Sequence, residues 1–343
     1  MGTVLVSEWV LMRMIWPPVK KTAPCCLESS EGLFFLQLVK ECSNCADRLA
    51  ILTVGDYRLA MEQIAINKSF GGQQGVYRHA SSSTGTDMTF AVYVPPQAKD
   101  RPVPVLWFLS GLTCSHENAM VKAGMQEHAA RLGMLVVLPD TSPRRQGPDS
   151  EDVADDPDGL YDFGLGAGFY VDASQDPFAK HYQMYSYITD ELPKLIAENF
   201  NADMSRQGIC GHSMGGHGAL TIGLKNPGRY KSISAFSPIV SPINCPWGQK
   251  ALGRYLGPDQ TLWVEHDACA LIGKAEEKLP LLIDQGTGDD FLEKELKPHL
   301  LTKACEQADH PLTLRMQEGY DHSYFFIASF MRDHMEWHEK GFK

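Results

Sequence analysis

The sequence predicts an α/β fold, with a mostly parallel central sheet of about eight strands and helices on both faces. Short apolar runs alternate with amphipathic segments of helical period. Two runs, at residues 103–109 and 134–138, are apolar throughout, which is typical of strands buried on both faces. The chain has 343 residues, 43% hydrophobic and 21% charged. That length allows one large domain with additions or two domains.

Residues 1–60 show no clear organisation, and we interpret them as an N-terminal extension that is poorly ordered. Residues 61–343 form the predicted domain, with Met61 as a candidate alternative start. The apolar run from Val4 to Trp16 is interrupted by Glu8 and Arg13, which argues against a signal peptide. No apolar run approaches the length of a membrane span, so no membrane partner is expected.

Predicted strands and helices alternate through the domain. The strands lie at residues 74–78, 88–94, 103–109, 134–138, 207–210, 231–236, 281–285 and 312–316. The main helices lie at residues 118–131, 182–200, 218–224, 291–307 and 324–340, and two short helices lie within 238–279. Pro193 should kink the helix that contains it or mark where two helices meet, and Pro298 should break its helix. Residues 140–178 are a long irregular excursion, either a functional loop or a solvated insertion.

Charge and cysteine content exclude some classes of function. The net charge of −11 argues against nucleic-acid binding, and an anionic substrate would need local donors. Nine scattered cysteines, without a secretory context, predict reduced thiols and a cytoplasmic protein. Cys25 and Cys26 could form a zinc site with Cys42 and Cys45, but no histidine supports it. Neither a metal nor a cofactor is expected.

The segment Gly211-His212-Ser213-Met214-Gly215 carries the pattern Gly-x-Ser-x-Gly. An apolar run precedes it and a small-residue run of helical character follows it. A strand, a sharp turn and a helix are the context of a nucleophile elbow, in which the serine is presented on a strained turn. The alternative is a glycine-rich turn in which the serine only caps a helix. The pattern makes Ser213 a candidate nucleophile.

A serine hydroxyl needs a general base, usually histidine, and the base needs an orienting acid. In the elbow topology the acid and then the histidine follow the serine along the chain, in loops after late strands. Asp289 and Asp290 follow the seventh predicted strand, and His322 follows the eighth. The residues alone leave the choice between Asp289 and Asp290 open. Alternatively, His322 and Asp321 could only begin the last helix.

The tetrahedral intermediate of such a reaction needs two backbone N–H donors. One should come from Met214, which follows the serine, and the other from the loop after the third strand, where Leu112 is the candidate. Cys114 in the same loop should lie near the site. His212 and His217 flank the serine and are expected to pack against its loop or position it.

His334 and His338 lie four residues apart on the last helix. This spacing places both side chains on one helix face. A metal site would need a third ligand, and none is apparent in the sequence. We therefore expect the two histidines to lie on a solvated face.

From about residue 64 to residue 342 the chain resembles the S-formylglutathione hydrolases, also called esterase D, a branch of the α/β-hydrolases. The segments that carry the resemblance include Leu109-Ser110-Gly111-Leu112-Thr113-Cys114, Gly168-Phe169-Tyr170-Val171-Asp172-Ala173, Cys245-Pro246-Trp247-Gly248 and Gln317-Glu318-Gly319-Tyr320-Asp321-His322-Ser323-Tyr324. Residues 211–220 match as well. Residues 1–60 find no counterpart in that family.

The resemblance implies a triad of Ser213, Asp289 and His322. It favours Asp289 because the family places its acid directly before an x-Phe-Leu triplet, here Asp290-Phe291-Leu292. It also implies Leu112 and Met214 as oxyanion donors. The residues that close a small acyl pocket are not evident from the sequence, and Cys114, Trp247 and the excursion are candidates.

The activity that the resemblance implies is hydrolysis of S-formylglutathione to glutathione and formate, in formaldehyde detoxification. The partner would be this small-molecule substrate, and the resemblance suggests a homodimer. Two alternatives share the fold and the triad, namely a general short-chain carboxylesterase and an acyltransferase. A binding module without activity would be expected to have a damaged triad.

Overall fold

The computed structural model describes residues 61–145, 147 and 152–343. The predicted extension over residues 1–60 lies outside these residues, as do the four cysteines of the hypothetical zinc site. The domain boundary before Met61 therefore stays a prediction. In the described part of the chain, no helix is both long enough and apolar enough to span a lipid bilayer.

One sheet organises the described residues. Its strands are β1 Glu62–Ser69, β2 Gly72–Ala80, β3 Asp87–Val94, β4 Val103–Leu109, β5 Leu135–Pro139, β6 Ala202–His212, β7 Tyr230–Phe236, β8 Leu281–Gly286 and β9 Leu312–Gln317. Their spatial order is β1-β2-β3-β5-β4-β6-β7-β8-β9. Strands β4 to β9 pair in parallel, and β1 to β3 extend one edge in antiparallel. The predicted mostly parallel sheet is confirmed.

Strand β1 is the ninth strand of this sheet, and the sequence does not predict it. All of its residues are exposed or half-buried. An edge strand with solvent on both faces needs no apolar alternation, so it carries little signal. The pairing with β2 also shifts by one residue between Gln63 and Ala65. Such a bulge interrupts the alternation further and discourages pairing with another sheet edge.

Helices and short turns fill the connections between the strands. The α-helices are α1 His116–Lys122, α2 Met125–Leu132, α3 Met184–Ser186, α4 Leu192–Asn199, α5 Met214–Lys225, α6 Pro246–Tyr255, α7 Gln260–Trp263, α8 Ala268–Ile272, α9 Pro298–Ala308 and α10 Tyr324–Gly341. Turns of 3₁₀ helix lie at Pro96–Lys99, Phe178–Lys180, Pro242–Asn244 and Val264–His266. Turns of π-helix lie at Tyr187–Glu191 and Leu292–Leu296.

Two predicted helical regions are divided differently in the structure. The helix expected at residues 118–131 is two helices, because Gly124 adopts a left-handed conformation with φ of 69° between α1 and α2. The region 238–279 contains α6, α7 and α8 rather than two short helices. Small turns of this kind are fixed by packing rather than by apolar period, so the pattern underestimates their number.

The predicted break at Pro298 is confirmed, whereas Pro193 lies where a π-helical turn passes directly into α4. Pro193 follows the first π-helical turn and lies in the first turn of α4. Pro298 begins α9 after the second π-helical turn, and Lys297 between them has φ of 49°. Proline has no N–H to donate, so Pro298 is accommodated at the start of a new helix. At Pro193 the helical backbone continues through Glu191 and Leu192.

The first π-helical turn buries a carboxylate. Glu191 is 5% exposed and accepts hydrogen bonds from Ser81 Oγ at 2.7 Å and from the N–H groups of Ser82 and Ser83 at 2.7 and 2.8 Å. Burial would raise the pKa of Glu191, but these hydrogen bonds outweigh it and lower the pKa. The buried charge thereby holds the loop between β2 and β3 against the helical layer.

Strand β4 separates two hydrophobic cores. Val105, Trp107 and Leu109 belong to one core, whereas Leu106 and Phe108 belong to the other. All five are at most 1% exposed. Because successive side chains of a strand point to opposite faces, this division means that both faces of the sheet are covered. The continuous apolar run in the sequence has this cause.

The expectation that His334 and His338 lie on a solvated face is wrong. Both are fully buried against the sheet. His338 bonds Ser232 Oγ at 2.6 Å and Ser234 Oγ at 2.8 Å, and His334 bonds Ser234 Oγ at 2.9 Å. Burial lowers the pKa of both imidazoles, which keeps them neutral. Hydroxyl groups on β7 give these histidines partners that the helix sequence alone does not reveal.

An ion pair between neighbouring strands ends this network. Arg315 on β9 donates to Asp284 on β8 through Nε at 2.6 Å and Nη2 at 2.5 Å, and His334 Nε2 lies 3.2 Å from the same carboxylate. The Asp284 side chain is fully buried, whereas that of Arg315 is 31% exposed. Burial would raise the pKa of Asp284, and the hydrogen bonds from His334 and Arg315 lower it instead.

We expect Arg315→Met to lower the free energy of unfolding by about 3 kcal/mol, because it leaves the buried Asp284 carboxylate without its cation. Arg332→Met is the matched control, since Arg332 bonds Glu336 on an exposed surface and should cost less than about 1 kcal/mol. Urea unfolding followed by circular dichroism measures both. An equal decrease in the free energy of unfolding in both variants would contradict a larger contribution of the buried Asp284–Arg315 pair.

Candidate active site

The serine turn is backbone-strained. Ser213 joins β6 to α5 with φ of 58° and ψ of −118°, and it is 2% exposed. A Cβ on Gly211 would overlap the carbonyl of Gly215, and one on Gly215 would overlap the carbonyl of Leu109. Only glycine permits these close approaches at positions 211 and 215. The backbone strain at Ser213, about 1–3 kcal/mol, is balanced by the packing of the surrounding residues. The strand–turn–helix expected for a nucleophile elbow is present.

The structure brings His322 and Asp289 together. His322 Nδ1 lies 2.6 Å from Asp289 Oδ2, although 33 positions separate them in the chain. Asp289 is 5% exposed, whereas Asp290 is exposed to solvent. Asp289 also accepts from the Phe291 N–H at 2.9 Å and from Gln285 Nε2 at 3.2 Å. Of the two aspartates between which the residues alone do not decide, the structure therefore brings Asp289 to His322 and leaves Asp290 in solvent.

The charge of Asp289 is stabilised within the fold. Burial would raise the pKa of this carboxyl, but its hydrogen bonds with His322 and with the Phe291 N–H outweigh burial and lower the pKa. The aspartate is thus ionised at neutral pH. An ionised partner holds Nδ1 of the imidazole as the protonated nitrogen and leaves Nε2 free to accept a proton.

The start of α10 has its own cap. Ser323 is the N-cap residue, and its Oγ accepts from the Phe325 N–H at 3.2 Å. Asp321 accepts from Ser323 instead. Neither His322 nor Asp321 caps the helix, so the alternative interpretation of this segment is wrong.

His212 packs directly against His322, with 4.5 Å between the ring centroids. It is buried, and burial lowers its pKa well below the usual range. A neutral ring does not repel the positive charge that His322 would acquire as a base. His217 lies further along α5, where Nε2 bonds the Phe169 carbonyl at 3.2 Å and burial lowers its pKa to about 4.

The loop after β4 lies beside the serine. A Cβ on Gly111 would be 3.1 Å from Cβ of Ser213, so the backbone next to Leu112 runs close to the candidate nucleophile. Thr113 has φ of 64°, and its N–H donates to the Gly166 carbonyl at 2.9 Å. Met214 is the first residue of α5, where helical N–H groups lack a partner within the helix. These are the two segments predicted to bind an oxyanion.

Cys114 lies in the same loop. Its Sγ is 3.8 Å from the hydroxyl of Tyr324, whose ring lies 5.9 Å from that of His212. Burial raises the pKa of the Cys114 thiol, so it is not a thiolate at neutral pH. The Cys114 carbonyl accepts from Arg144 Nη2 at 2.8 Å and from Thr141 Oγ1 at 2.5 Å. Hydrogen bonds from the excursion thereby fix the loop.

Trp247 reaches the site through one intervening ring. Its ring centroid lies 4.7 Å from that of Phe291, which lies 5.0 Å from the ring of His322. Trp247 is 7% exposed. Tyr161 of the excursion also contacts the Trp247 ring, edge-on at 6.4 Å. Ring contacts thus connect Trp247 to the candidate base through Phe291, and its role in a substrate pocket stays a prediction.

The excursion is held to α6 by buried charge, which sequence reasoning missed. Asp156 accepts from Lys250 Nζ at 2.7 Å and from Arg254, and Asp162 also contacts Lys250. Burial would raise the pKa of Asp156, but these hydrogen bonds lower it to about 2. The sequence contains one sign of this interaction, since Lys250 and Arg254 lie four residues apart on one face of α6. The carboxylates that face them are about 90 residues away in the chain.

The family model described as a putative esterase matches residues 81–337. An S-formylglutathione hydrolase of Paracoccus denitrificans (strain Pd 1222) is 55% identical over 280 residues, which are 82% of this chain and 98% of that protein. The chain belongs to the S-formylglutathione hydrolase family. The resemblance found in the sequence is therefore confirmed over most of the described domain.

A solved S-formylglutathione hydrolase from Agrobacterium tumefaciens matches with a TM-score of 0.79 and 53% identity, over 82% of this chain and 99% of that one. The α/β-hydrolase fold is thereby confirmed. The fluorophosphonate-binding serine hydrolase FphF of Staphylococcus aureus matches with a TM-score of 0.62 at 18% identity, over 78% of this chain and 98% of that one. This second likeness shows the fold alone.

We expect Asp289→Asn to lower kcat for 4-nitrophenyl acetate by about 10⁴-fold, because an amide no longer holds the imidazole in the required tautomer. Asp290→Asn is the matched control and should stay within about twofold of the unchanged protein, because that side chain faces solvent. Steady-state kinetics on both variants decide between the neighbours. Full activity in Asp289→Asn, or an equal loss in both, contradicts the assignment.

Proposed function

We propose that the protein is a serine thioesterase that hydrolyses S-formylglutathione to glutathione and formate, with Ser213, His322 and Asp289 as its triad. Family membership at 55% identity over 82% of the chain carries this proposal. The 2.6 Å contact between His322 and Asp289 and the strained turn at Ser213 support the assignment of residues. They supply the base, the acid and the nucleophile that acyl transfer to serine needs.

In the first half of the reaction, His322 Nε2 takes the proton of Ser213 as Oγ attacks the formyl carbon. The carbonyl oxygen becomes an oxyanion, which accepts hydrogen bonds from the N–H groups of Leu112 and Met214. Each such donor is worth about 3–4 kcal/mol of transition-state stabilisation. Asp289 remains ionised and stabilises the imidazolium that forms.

Collapse of the intermediate breaks the carbon–sulfur bond. The glutathione sulfur leaves and takes the proton from His322, and its thiol has a pKa of about 8.5 if it resembles free cysteine. Water then enters, gives its proton to His322 and attacks the formyl-serine. The second tetrahedral intermediate releases formate and returns the proton to Ser213. No metal or cofactor takes part in these steps.

The acyl side of the site would be limited by the rings of Phe291 and Trp247 and by Cys114. Trp247 and Phe291 pack at 4.7 Å, and Tyr161 supports Trp247 from the excursion. A rigid wall can discriminate between acyl groups that differ by one methylene, by about 10- to 200-fold. A formyl group, which has no carbon beyond its carbonyl, is the smallest acyl group that this wall would admit.

We also propose that the protein acts in the cytoplasm as a homodimer. Free thiols at the five described cysteines support a reducing compartment; they are Cys114, Cys210, Cys245, Cys269 and Cys305. Sedimentation velocity at micromolar concentration tests the dimer. A single species at the monomer mass, 38.1 kDa, contradicts it.

We expect Ser213→Ala to lower kcat for S-formylglutathione by about 10⁶-fold while the far-ultraviolet circular dichroism stays unchanged, since the change removes one oxygen atom. Turnover at the unchanged rate in a folded variant would contradict the assignment of Ser213 as the nucleophile.

Substrate identity is tested on the unchanged protein with S-formyl-, S-acetyl- and S-lactoylglutathione. We expect kcat/KM to be highest for the formyl thioester, by at least about tenfold. A preference for the lactoyl thioester contradicts the proposed substrate. A higher kcat/KM for aryl esters than for every thioester would favour a general esterase. Faster transfer of the acyl group to an added alcohol than to water would favour an acyltransferase.

A further inference from the structure

Glu295 is a buried carboxylate near the site that the proposed mechanism does not use. It lies in the π-helical turn Leu292–Leu296 and is 3% exposed. Its Oε2 accepts a hydrogen bond from the backbone N–H of Trp247 at 3.0 Å. A buried acidic group is costly unless it is hydrogen-bonded, so its presence beside a substrate wall calls for a reason.

The contact fixes the start of α6. Trp247 is the second residue of this helix, where N–H groups have no partner within the helix. A carboxylate at this end is also favoured by the helix dipole. Cys245 Sγ accepts from the Gly248 N–H at 3.4 Å, so two neighbouring donors of the first turn are satisfied from outside the helix. Glu295 thereby determines where the backbone of Trp247 lies.

The same π-helical turn also positions the ring on which Trp247 packs. The Glu295 N–H donates to the Phe291 carbonyl at 2.9 Å. The Phe291 ring contacts the Trp247 ring at 4.7 Å and the His322 ring, edge-on, at 5.0 Å. Trp247 is therefore held at two points by this turn and the residue directly before it: Glu295 bonds its backbone N–H, and the ring of Phe291 packs against its indole.

We propose that Glu295 is a positioning residue for acyl selectivity, which holds Trp247 against Phe291 and so limits the size of the acyl group accepted beside Ser213. The inference rests on the proposed serine-hydrolase function and adds a residue that touches neither substrate nor reacting atoms. If the rings of Trp247 and Phe291 could shift by a fraction of an ångström, they would discriminate less between acyl groups of different length.

The test compares kcat/KM for 4-nitrophenyl butyrate and 4-nitrophenyl acetate. Glu295→Ala should raise the butyrate-to-acetate ratio by about tenfold, because Trp247 loses its anchor. Glu295→Gln retains an acceptor oxygen at the same reach and should keep the ratio within about twofold. Glu293→Gln is the matched control, since Glu293 lies on the same turn and is exposed. Its ratio should not change.

A wild-type ratio in a folded Glu295→Ala variant overturns the proposal, and so does an equal shift in Glu293→Gln. If Glu295→Ala does not fold, Glu295→Asp decides, because it keeps the carboxyl group but shortens the reach by one methylene. Its ratio should rise, and Trp247→Leu should raise it in the same way. The double variant should add nothing further, since both changes remove one interaction. Additive shifts, or an unchanged ratio in Glu295→Asp, overturn the proposal.

The two proposals can fail separately. The aryl esters do not contain glutathione, so the acyl ratio is measurable whether or not S-formylglutathione is the substrate. Absence of turnover of that thioester by the unchanged protein would overturn the proposed function and leave the ratio test intact. An unchanged ratio, with normal turnover of the thioester, would overturn only the role of Glu295.

Discussion

The close approach of the β6–α5 turn to the end of β4 is the constraint on which the candidate site depends. A side chain at Gly215 would overlap the carbonyl of Leu109, so α5 can begin this near to β4 only with glycine there. The same approach sets Gly111 against Ser213 and carries the Leu112 loop alongside it. Parallel pairing from β4 to β9 then brings the loops that follow β8 and β9 to the same edge.

This geometry explains which parts of the site the sequence predicts. The positions of Asp289 and His322 follow from strand order, since carboxyl ends of parallel strands share one edge. The choice of Asp289 over its neighbour depends on which side chain turns inward, and a loop sequence carries no period that decides this. His334 and His338 show the converse error. Their spacing is the same for a buried and a solvated face, and only the serine hydroxyls of β7 decide between them.

Charge is distributed so that the reaction centre stays separate from the pairs that hold the fold. The buried Asp284–Arg315 pair and the Asp156 cluster contain cations with fixed partners. In each pair the carboxylate and the cation lie in segments far apart in the chain. The amino-acid composition therefore predicts a net negative charge but not these ion pairs. Beside His322, in contrast, His212 is neutral and Asp289 is ionised. In the proposed mechanism, the charge of Asp289 thus lies 2.6 Å from the ring that would take the serine proton.

Each of the two described π-helical turns carries a buried carboxylate and is followed by a helix with proline in its first turn. Glu191 bonds the loop after β2, and Glu295 bonds the start of α6. A π-helical turn accommodates one residue more than an α-helical turn. Losing that residue would rotate the preceding side chains by about 100° about the helix axis and swing each carboxylate away from its donors. The number of residues in these two short segments is therefore itself a requirement of the fold, independent of which residues fill the remaining positions.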